Sequence, residues 1–392
     1  PAMVPWWFLP YAVVTGNTFL VKPSEQVPMT QTRIMEIVDE VGFPEGVINM
    51  VHGSRDVVNA MLAHPDIEGI SFVGSTPTAR HIYRECGNTG KRVQALGGAK
   101  NIVAVMPDAD LEQGMPSLLT SFFGCTGQRC LSGSVLVPVG EAADRVVEQF
   151  TAGAKTVSVG DGLDEQTFMG PLISDAHRER VLGYIAKGVE EGADLVLDGR
   201  GIEVDGYPDG FFVGTTIFDN VTPDMTIAKE EIFGSVVSIV RAPDMDAVVD
   251  LVNTRGFANA ACLYTGSGAA AREFKYRVKP SMIGINVGIA ARMLHQTRDL
   301  SGAFGAQRDE ARGYILRRRP AGVVLGIAPW NAAAASCRAA SSPSHTFCMM
   351  WQLIAMGRRR WRPRARSHIV RRSTPLTYSI AMKWELSILP SS

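Results

Sequence analysis

The sequence predicts an α/β protein, and three observations lead to that class. Short runs of β-branched residues alternate with segments of helical periodicity from about residue 10 to residue 290. Several of these runs end in turns rich in glycine and serine, as strands do when they lead into helices in a parallel sheet. Apolar residues make up 46% and charged residues 20% of the 392-residue chain, which is ordinary for a globular protein with a sizeable core. A chain of this length accommodates two or three domains.

The first predicted unit repeats the order strand, turn, helix. A helical segment from residue 10 ends at a Gly16-Asn17 turn, and a later helix ends at Gly42. The strands are predicted over residues 18–21, 47–51 and 67–73, and the helices over residues 31–40, 55–63 and from residue 76 onward. This alternation predicts a parallel sheet covered by helices.

A second α/β unit, roughly residues 99–290, follows a break at Gly97-Gly98. Its strands are predicted over residues 101–106, 134–137, 157–159, 236–240 and 261–265. Its helices are predicted over residues 110–123 and 178–191 and between the last two strands.

Residues Gly74-Ser75-Thr76-Pro77 form a candidate phosphate-binding turn. Ser75 or Thr76 is the expected N-cap, and Pro77 suits the first helical turn. The N–H groups at a helix N-terminus point towards an anion, and Gly74 adds no side chain in its way. The pattern is not GxGxxG, because position 79 is Ala. An ordinary strand-to-helix turn therefore stays open as the alternative.

Cys130 is the candidate nucleophile. It follows the small, Gly-rich turn Gly124-Cys125-Thr126-Gly127-Gln128 and the charged Arg129. Small residues let a substrate approach the sulfur, and free backbone N–H groups can stabilise a thiolate and later an oxyanion. The alternative is that Cys130 is a small buried hydrophobe, as most free cysteines are.

Composition argues against several classes of protein. No apolar run is long enough to span a membrane. The six cysteines lack paired CxxC spacing, which favours a reducing compartment over a disulfide framework or a zinc site. The formal net charge of zero hides a split, because residues 314–392 hold 12 Arg and one Lys against one acid and so carry +12, leaving −12 on residues 1–313. A basic tail can be a nucleic-acid arm. This segment is rich in arginine and lacks helical or strand periodicity, which favours a frame-disrupted or recombined segment instead.

Several collinear runs resemble the aldehyde dehydrogenase superfamily. They span residues 1 to about 289 in the expected order. The runs are Gly16-Asn17-Thr18, Lys22-Pro23-Ser24-Glu25, residues 42–49, Phe72-Val73-Gly74-Ser75-Thr76, Leu96-Gly97-Gly98, Gly127-Gln128-Arg129-Cys130, residues 230–234 and Ile285-Asn286-Val287-Gly288. The resemblance implies an aldehyde-dehydrogenase-like α/β fold with an incomplete Rossmann-like cofactor domain and an α/β catalytic domain.

The resemblance also implies a set of site residues. Cys130 matches the nucleophile that forms a thioester with the substrate. Lys22 and Glu25 match the residues that hold the adenosine ribose of NAD. The pyrophosphate contact matches Gly74 and Ser75. Residues that position the nicotinamide ribose and ring match Glu231 and Phe233. The alternative for the charged members is a solvated surface, and no metal is expected.

The acyl acceptor is inferred from a position at which this sequence differs from most members of the family. Most members have a glutamate before the Leu-Gly-Gly run, and it activates water. Here the run is Ala95-Leu96-Gly97-Gly98. The pattern is typical of the CoA-acylating methylmalonate-semialdehyde dehydrogenases, which implies coenzyme A as co-substrate, methylmalonate or malonate semialdehyde as substrate, propanoyl-CoA or acetyl-CoA as product, and a place in valine catabolism. A hydrolytic NAD(P)-dependent enzyme and an inactive fragment or pseudoenzyme remain alternatives.

Arg129 is the candidate substrate-carboxylate anchor, because a guanidinium holds a carboxylate bidentately. The alternative is a charge that only neutralises a local acid.

The predicted domain boundaries are residues 1–98 for a partial NAD-binding domain, 99–290 for the catalytic thiol domain, and 291–392 for a largely irregular tail outside the family. The sequence is expected to begin inside the family's cofactor domain and to lack the family's C-terminal oligomerisation strand. The family's dimers and tetramers depend on that strand. Residues 320–331 resemble a strand and Pro-Trp-Asn turn that other members carry upstream of residue 1, so this segment is a candidate replacement strand. A small-molecule aldehyde is the expected partner, without nucleic acid or membrane, in a bacterial cytoplasm or, for a eukaryotic source, a mitochondrion.

Overall fold

The computed structural model describes residues 2–257 and 259–288, and the backbone of residues 307–309, 314–316 and 324–327. The described chain is an α/β structure with two larger sheets, one in each of the two predicted units. The α/β prediction is therefore confirmed.

The first sheet contains five strands in the order β2-β1-β14-β3-β4, all parallel. Its strands are β1 (Phe19–Lys22), β2 (Ile48–Met50), β3 (Gly69–Val73), β4 (Arg92–Leu96) and β14 (Val324–Ile327). The helices of this unit are α1 (Val4–Val14), α2 (Met29–Val41), α3 (Arg55–Ala63) and α4 (Thr76–Thr89). The fully buried pattern of β3 is that of a strand covered on both faces.

Strand β14 occupies the centre of this sheet although it lies far away in sequence. Phe19 to Lys22 pair in parallel with Val324 to Ile327, and the same four residues of β14 pair on their other side with Gly69 to Phe72. Helix α1 also lies against β14. The candidate replacement strand thus joins β1 to β3, two strands that would otherwise present facing unpaired edges.

The second sheet contains seven strands in the order β11-β10-β5-β6-β9-β8-β7, with only the β7–β8 pair antiparallel. Its strands are β5 (Asn101–Val105), β6 (Gly133–Pro138), β7 (Asp194–Leu197), β8 (Thr216–Asp219), β9 (Val236–Ile239), β10 (Ala260–Tyr264) and β11 (Met282–Ile285). Its helices are α5 (Leu111–Phe123), α6 (Ala143–Lys155), α7 (Asp175–Glu190), α8 (Thr226–Lys229), α9 (Met245–Thr254) and α10 (Gly268–Arg277). A small hairpin, β12 (Gln307–Asp309) with β13 (Tyr314–Leu316), completes the described elements.

The core of this second unit lies on both faces of its sheet. Ile102 and Ala104 of β5 belong to one apolar cluster, whereas Val103 and Val105 belong to another. Successive side chains of a strand point to opposite faces, so helices cover the sheet from both sides. This burial makes the strand ends a rigid platform for the loops between them.

Two expectations need comment. The strand predicted over residues 157–159 is wrong, because this segment makes only an isolated bridge between Val159 and Met169 beside the sheet. The predicted irregularity of residues 291–392 stays a prediction, with β12, β13 and β14 as exceptions and most of that range outside the described residues.

The described residues lack a membrane-spanning helix and a cluster of metal ligands. No helix among them is both long and apolar enough to cross a membrane. Nor do they contain a group of three or more His, Cys, Asp or Glu side chains placed to hold a metal ion.

Candidate active site

The predicted site residues lie at strand ends of the two sheets. In the first sheet they follow the carboxyl ends of β1 and β3. In the second sheet they precede the amino ends of β6 and β9, which are neighbours in the sheet. Strand β4 leads through Gly97 and Gly98 directly into β5, so one short connection joins the two groups.

Cys130 stands at the end of a tight left-handed turn. Cys125, Thr126 and Gly127 have successive φ angles of 56°, 58° and 68°. The left-handed region costs a non-glycine residue roughly 1–2 kcal/mol, so two of these positions are strained. At Gly127 a Cβ atom would lie 2.1 Å from the carbonyl oxygen of Gly234, so only glycine fits.

The turn is fastened to the segment over residues 170–173. The Thr126 hydroxyl donates to the Gly170 carbonyl at 2.6 Å. The Gln128 side chain accepts from the Ile173 N–H at 3.1 Å and donates to the Pro171 carbonyl at 3.3 Å. These bonds explain how a strained turn persists in front of β6 and presents Cys130 at a fixed place.

The Cys130 thiol is half-buried, and its environment keeps it protonated. Burial raises its pKa to about 11, and the negative charge of Glu231 adds to the rise. The backbone N–H of Cys130 and the Arg129 guanidinium oppose the rise by favouring the thiolate. The sulfur thus needs help to ionise at neutral pH.

The alkylation rate of Cys130 by iodoacetamide is therefore expected to rise with pH through the whole range from 7 to 10. Only the thiolate reacts, and a thiol with a pKa of about 11 gains roughly tenfold in thiolate per pH unit there, whereas an ordinary thiol levels off near 8.5. Peptide mapping separates Cys130 from the buried Cys125 and Cys262.

The charge of Glu231 provides the control for this prediction. Glu231→Gln should move the Cys130 profile towards lower pH, because it removes a negative charge that opposes the thiolate. A plateau below pH 9 in the unsubstituted protein would contradict the assigned environment.

Glu231 lies over the connection between the two sheets. Its Oε1 accepts the Ala99 N–H at 2.9 Å. Burial raises the pKa of this carboxyl, and the bond from Ala99 opposes the rise. The carboxylate thus has one fixed backbone partner and is held close enough to Cys130 for its charge to act on the sulfur.

Helix α7 holds the loop that carries Glu231 and Phe233. Arg180 Nη2 donates to the Glu231 carbonyl at 2.8 Å, and Arg180 Nη1 donates to the Ile232 carbonyl at 3.0 Å. His177 Nε2 donates to the Phe233 carbonyl at 2.8 Å, and burial lowers the pKa of its imidazole. Three successive carbonyls are thus fixed, which supports the φ of 64° at Phe233. Sequence reasoning missed His177 and Arg180, because their partners lie more than 50 residues away.

Lys22 and Glu25 follow β1 as a pair. Lys22 Nζ lies 3.3 Å from Glu25 Oε2 and donates to the Gly53 carbonyl at 2.8 Å. The Lys22 side chain is 3% exposed, whereas that of Glu25 is 56% exposed. The lysine is therefore a fixed donor at the sheet edge, and the carboxylate faces outward as an acceptor.

Gly74 and Ser75 form the turn between β3 and α4. A Cβ on Gly74 would lie 2.4 Å from the Phe72 ring, so glycine is required there. Ser75 is the N-cap of α4, and its Oγ lies 3.0 Å from the Thr78 hydroxyl. Thr76, in the first turn, accepts the Gly98 N–H at 3.0 Å and so ties the turn to the β4–β5 connection.

These groups fit a dinucleotide by the chemistry of their donors and acceptors. The Lys22–Glu25 pair offers a donor and an acceptor to a ribose diol. The amino end of α4 offers N–H groups to a pyrophosphate. The buried carboxylate of Glu231 offers an acceptor to a second ribose.

Arg129 is engaged with the end of helix α5. Its Nη2 donates to the carbonyls of Thr120 and Ser121, the latter at 3.3 Å, and its Nε lies 3.3 Å from the Ser132 hydroxyl. A cation at these carbonyls caps the helix and complements its dipole. The structure thus gives Arg129 a supporting role that the sequence did not predict, and its role as a carboxylate anchor stays a prediction.

A small cavity lies beneath these loops, next to the β5, β6 and β9 strand starts. Its walls include Lys100, Asn101, Arg129, Glu231 and Phe233. Burial lowers the pKa of Lys100 to about 7, so this amine is only partly charged at neutral pH. One of its polar atoms, the buried Oδ1 of Asn101, has no hydrogen-bond partner among the described residues.

Comparison with known proteins follows the same segments. The sequence profile of the aldehyde dehydrogenase family matches residues 1–298. A malonate-semialdehyde dehydrogenase of Oceanobacillus iheyensis is 48% identical over 293 residues, covering 75% of this chain and 60% of the relative. A malonate-semialdehyde dehydrogenase of Halalkalibacterium halodurans is 47% identical with the same coverage. The chain thus spans about 60% of the length of the curated relatives that it matches.

Solved structures agree with this comparison. A methylmalonate-semialdehyde dehydrogenase from Sinorhizobium meliloti, complexed with NAD, superimposes with a TM-score of 0.72 at 43% identity, covering 74% of this chain and 59% of that one. A betaine aldehyde dehydrogenase from Staphylococcus aureus, also in complex with NAD+, gives a TM-score of 0.70 at 29% identity, covering 72% of this chain and 57% of that one.

Proposed function

Since the chain belongs to the aldehyde dehydrogenase family, we propose that it carries out NAD-dependent, CoA-acylating oxidation of malonate or methylmalonate semialdehyde. The single observation that carries the proposal is the placement of Cys130 on its fastened turn, beside Glu231, where the two sheets meet. The relatives named for these semialdehydes support the choice of substrate.

Cys130 is the proposed nucleophile. Its sulfur adds to the aldehyde carbonyl, and backbone N–H groups of the turn are the proposed donors to the oxyanion. The thiol proton passes to solvent first, and the cationic Arg129 favours that loss. NAD, when bound, supplies the acceptor for the hydride that leaves the carbon. The result is a thioester on Cys130.

Lys22, Glu25, Gly74 and Ser75 are proposed to hold the adenosine and pyrophosphate part of NAD, and Glu231 and Phe233 the nicotinamide end. Their fixed geometry would orient the cofactor against Cys130 rather than take part in bond changes. The clamp from His177 and Arg180 keeps the Glu231–Phe233 loop in place before the cofactor arrives.

Coenzyme A is the proposed acyl acceptor. Ala95 stands where a general base would be expected, and it packs against the apolar cluster of β3 and α4 that includes Ile70 and Ile82. Without a base, attack by water loses roughly 10²–10⁴-fold. A thiol attacks a thioester without that help, so the acyl group passes from Cys130 to CoA. With loss of CO2 in both cases, methylmalonate semialdehyde gives propanoyl-CoA and malonate semialdehyde gives acetyl-CoA.

Stopped-flow measurement of reduced cofactor tests this proposal. With malonate semialdehyde and NAD, we expect a burst of reduced cofactor and then slow turnover. Adding CoA should accelerate the slow phase by about 10²-fold or more, because it replaces unassisted attack by water. Turnover that ignores CoA would reject the acylating assignment, and the absence of a burst would favour an inactive fragment.

A hydrolytic enzyme is the second candidate function. It is favoured by one observation: the half-buried Glu231 carboxyl has a pKa raised by burial, and its charge acts on Cys130, so it is a candidate base for activating water at the thioester. Fast turnover without CoA that disappears in Glu231→Gln would support this candidate.

Arg129→Ala is expected to raise KM for carboxylated semialdehydes by at least about tenfold while leaving KM for propanal nearly unchanged, because a partly buried, charge-assisted bond between arginine and a carboxylate is worth about 1.5–3 kcal/mol. The substitution also removes the cap of α5, so thermal unfolding is measured alongside. Equal changes in KM for both substrates would assign Arg129 to the helix end alone.

The cellular compartment and the partner are proposed on the same basis. Cys86, Cys125, Cys130 and Cys262 are free thiols, which suits a reducing compartment such as a bacterial cytoplasm. A small aldehyde remains the proposed partner, and residues 314–392, which carry the proposed nucleic-acid alternative, lie largely outside the described residues.

A further inference from the structure

The backbone carbonyl of Cys130 accepts two side-chain amides. Asn101 Nδ2 donates to it at 2.8 Å, and Asn259 Nδ2 donates to it at 2.7 Å. Asn101 Nδ2 also donates to the Ser132 carbonyl at 2.8 Å. Because a carbonyl oxygen can only accept, both amide nitrogens must face Cys130 and neither side chain can be flipped.

These amides come from the starts of neighbouring strands. Asn101 is the first residue of β5, and Asn259 directly precedes β10. Cys130 lies shortly before β6, and the three strands are adjacent in the order β10-β5-β6. Asn101 is 2% exposed. The Asn259 carbonyl accepts the Met282 N–H at 3.1 Å, so its own backbone is fixed as well.

We propose that Asn101 and Asn259 are positioning residues for the Cys130 nucleophile. Together they hold the peptide plane that follows Cys130, while the Ser132 N–H, which donates to the Arg129 carbonyl at 3.0 Å, holds the plane that precedes it. Fixing both planes keeps the Cys130 N–H directed at its own sulfur and keeps the sulfur aimed at the substrate. The inference rests on the proposed role of Cys130.

The side-chain amides of Asn101 and Asn259 make different sets of hydrogen bonds. Asn101 bridges two carbonyls on either side of Leu131, so it fixes the curvature of the chain into β6. Its Oδ1 is buried and, among the described residues, has no hydrogen-bond partner, although Asn101 lines the cavity beside Glu231. Asn259 has the Cys130 carbonyl as its amide contact and therefore reports on positioning alone.

The test is a double-substitution cycle with Asn101→Ala, Asn259→Ala and the double variant. Each single variant leaves one amide on the carbonyl. We expect kcat to fall by about tenfold and KM to stay within a factor of about two, because one of the two hydrogen bonds that align Cys130 is lost. The double variant leaves the carbonyl without a donor and should lose more than the product of the two single effects.

Alkylation of Cys130 provides a readout that a purely structural role would not move. Each variant should react more slowly with iodoacetamide at pH 8, and its profile should shift to higher pH, because the N–H that favours the thiolate is no longer held. Asn253→Ala is the matched control. Asn253 Nδ2 also donates to a backbone carbonyl, that of Arg277, with a donor–acceptor distance of 2.9 Å, but this carbonyl does not belong to Cys130.

Unchanged alkylation in folded Asn101 and Asn259 variants would overturn the inference, whatever the change in melting temperature. If Asn101→Ala does not fold, the less buried Asn259→Ala and its conservative partner Asn259→Ser, which restores a donor, decide the question. Alkylation does not require turnover. A wild-type chain without a burst would therefore reject the proposed function, while the alkylation profiles would still judge the positioning role.

Discussion

Cys130→Ser is expected to abolish the burst of reduced cofactor. A serine hydroxyl in this setting has a pKa far above that of the thiol and is a much weaker nucleophile, so formation of an acyl-enzyme should slow by at least about 10³-fold. Cofactor binding should remain, because Lys22 and Ser75 lie on the other sheet. Stopped-flow absorbance and a separate cofactor titration measure the two properties.

Cys125→Ser is the matched control for this substitution. Cys125 lies in the same turn, is buried, and differs from serine by one atom. It should keep the burst, since its sulfur is not the proposed nucleophile. A burst that survives in Cys130→Ser, or that disappears only in Cys125→Ser, would show that Cys130 is not the nucleophile.

Proline at position 325 is expected to produce the largest loss of stability. Leu325 of β14 is paired with Leu20 on one side and Ile70 on the other, so the strand is bonded along both edges. Proline removes a ladder hydrogen bond and does not fit a central strand, at a cost of about 3 kcal/mol or more, or roughly 5 °C in melting temperature. Differential scanning calorimetry of Leu325→Pro measures the change.

Glu203→Pro is the control for the proline itself. Glu203 is exposed and lies outside the helices and strands, so its melting temperature should stay within about 2 °C of the parent, as surface substitutions do. If Leu325→Pro melts like Glu203→Pro, β14 does not complete the first sheet.

Local patterns predicted most of the α/β framework. The strand-turn-helix order of residues 67–89 follows from alternation and from the Gly74–Pro77 turn, because each signal lies within a few residues of the element that it specifies. The central place of β14 does not follow from such signals. Pairing of a strand with partners 255 and 305 residues away depends on which edge stays open once the other strands have folded.

The candidate site shows the same division. Cys130 and Gly74 can be predicted from their flanking residues, because the cysteine follows a turn of small residues and the glycine precedes a helix. The carbonyl bonds from Asn101, Asn259, His177 and Arg180 span 29 to 129 residues, and no local periodicity announces them. Arg129 was predicted from its charge alone, whereas its bonds to α5 depend on where that helix ends.

These contacts place the proposed chemistry on rigid supports. Strand starts hold the Cys130 carbonyl, α7 holds the Glu231–Phe233 loop, and the segment over residues 170–173 holds the turn. Because each support is a hydrogen bond from a side chain to the backbone, substitutions there should change alignment and rate before they change substrate affinity.

Mass spectrometry of the quenched protein tests the central claim most directly. The chain is mixed with malonate semialdehyde and NAD without CoA, quenched in acid and digested. The account predicts an acyl group on the peptide that contains Cys130, and its rapid disappearance when CoA is added before the quench. An unmodified Cys130, or an adduct whose decay is the same with and without CoA, would contradict it.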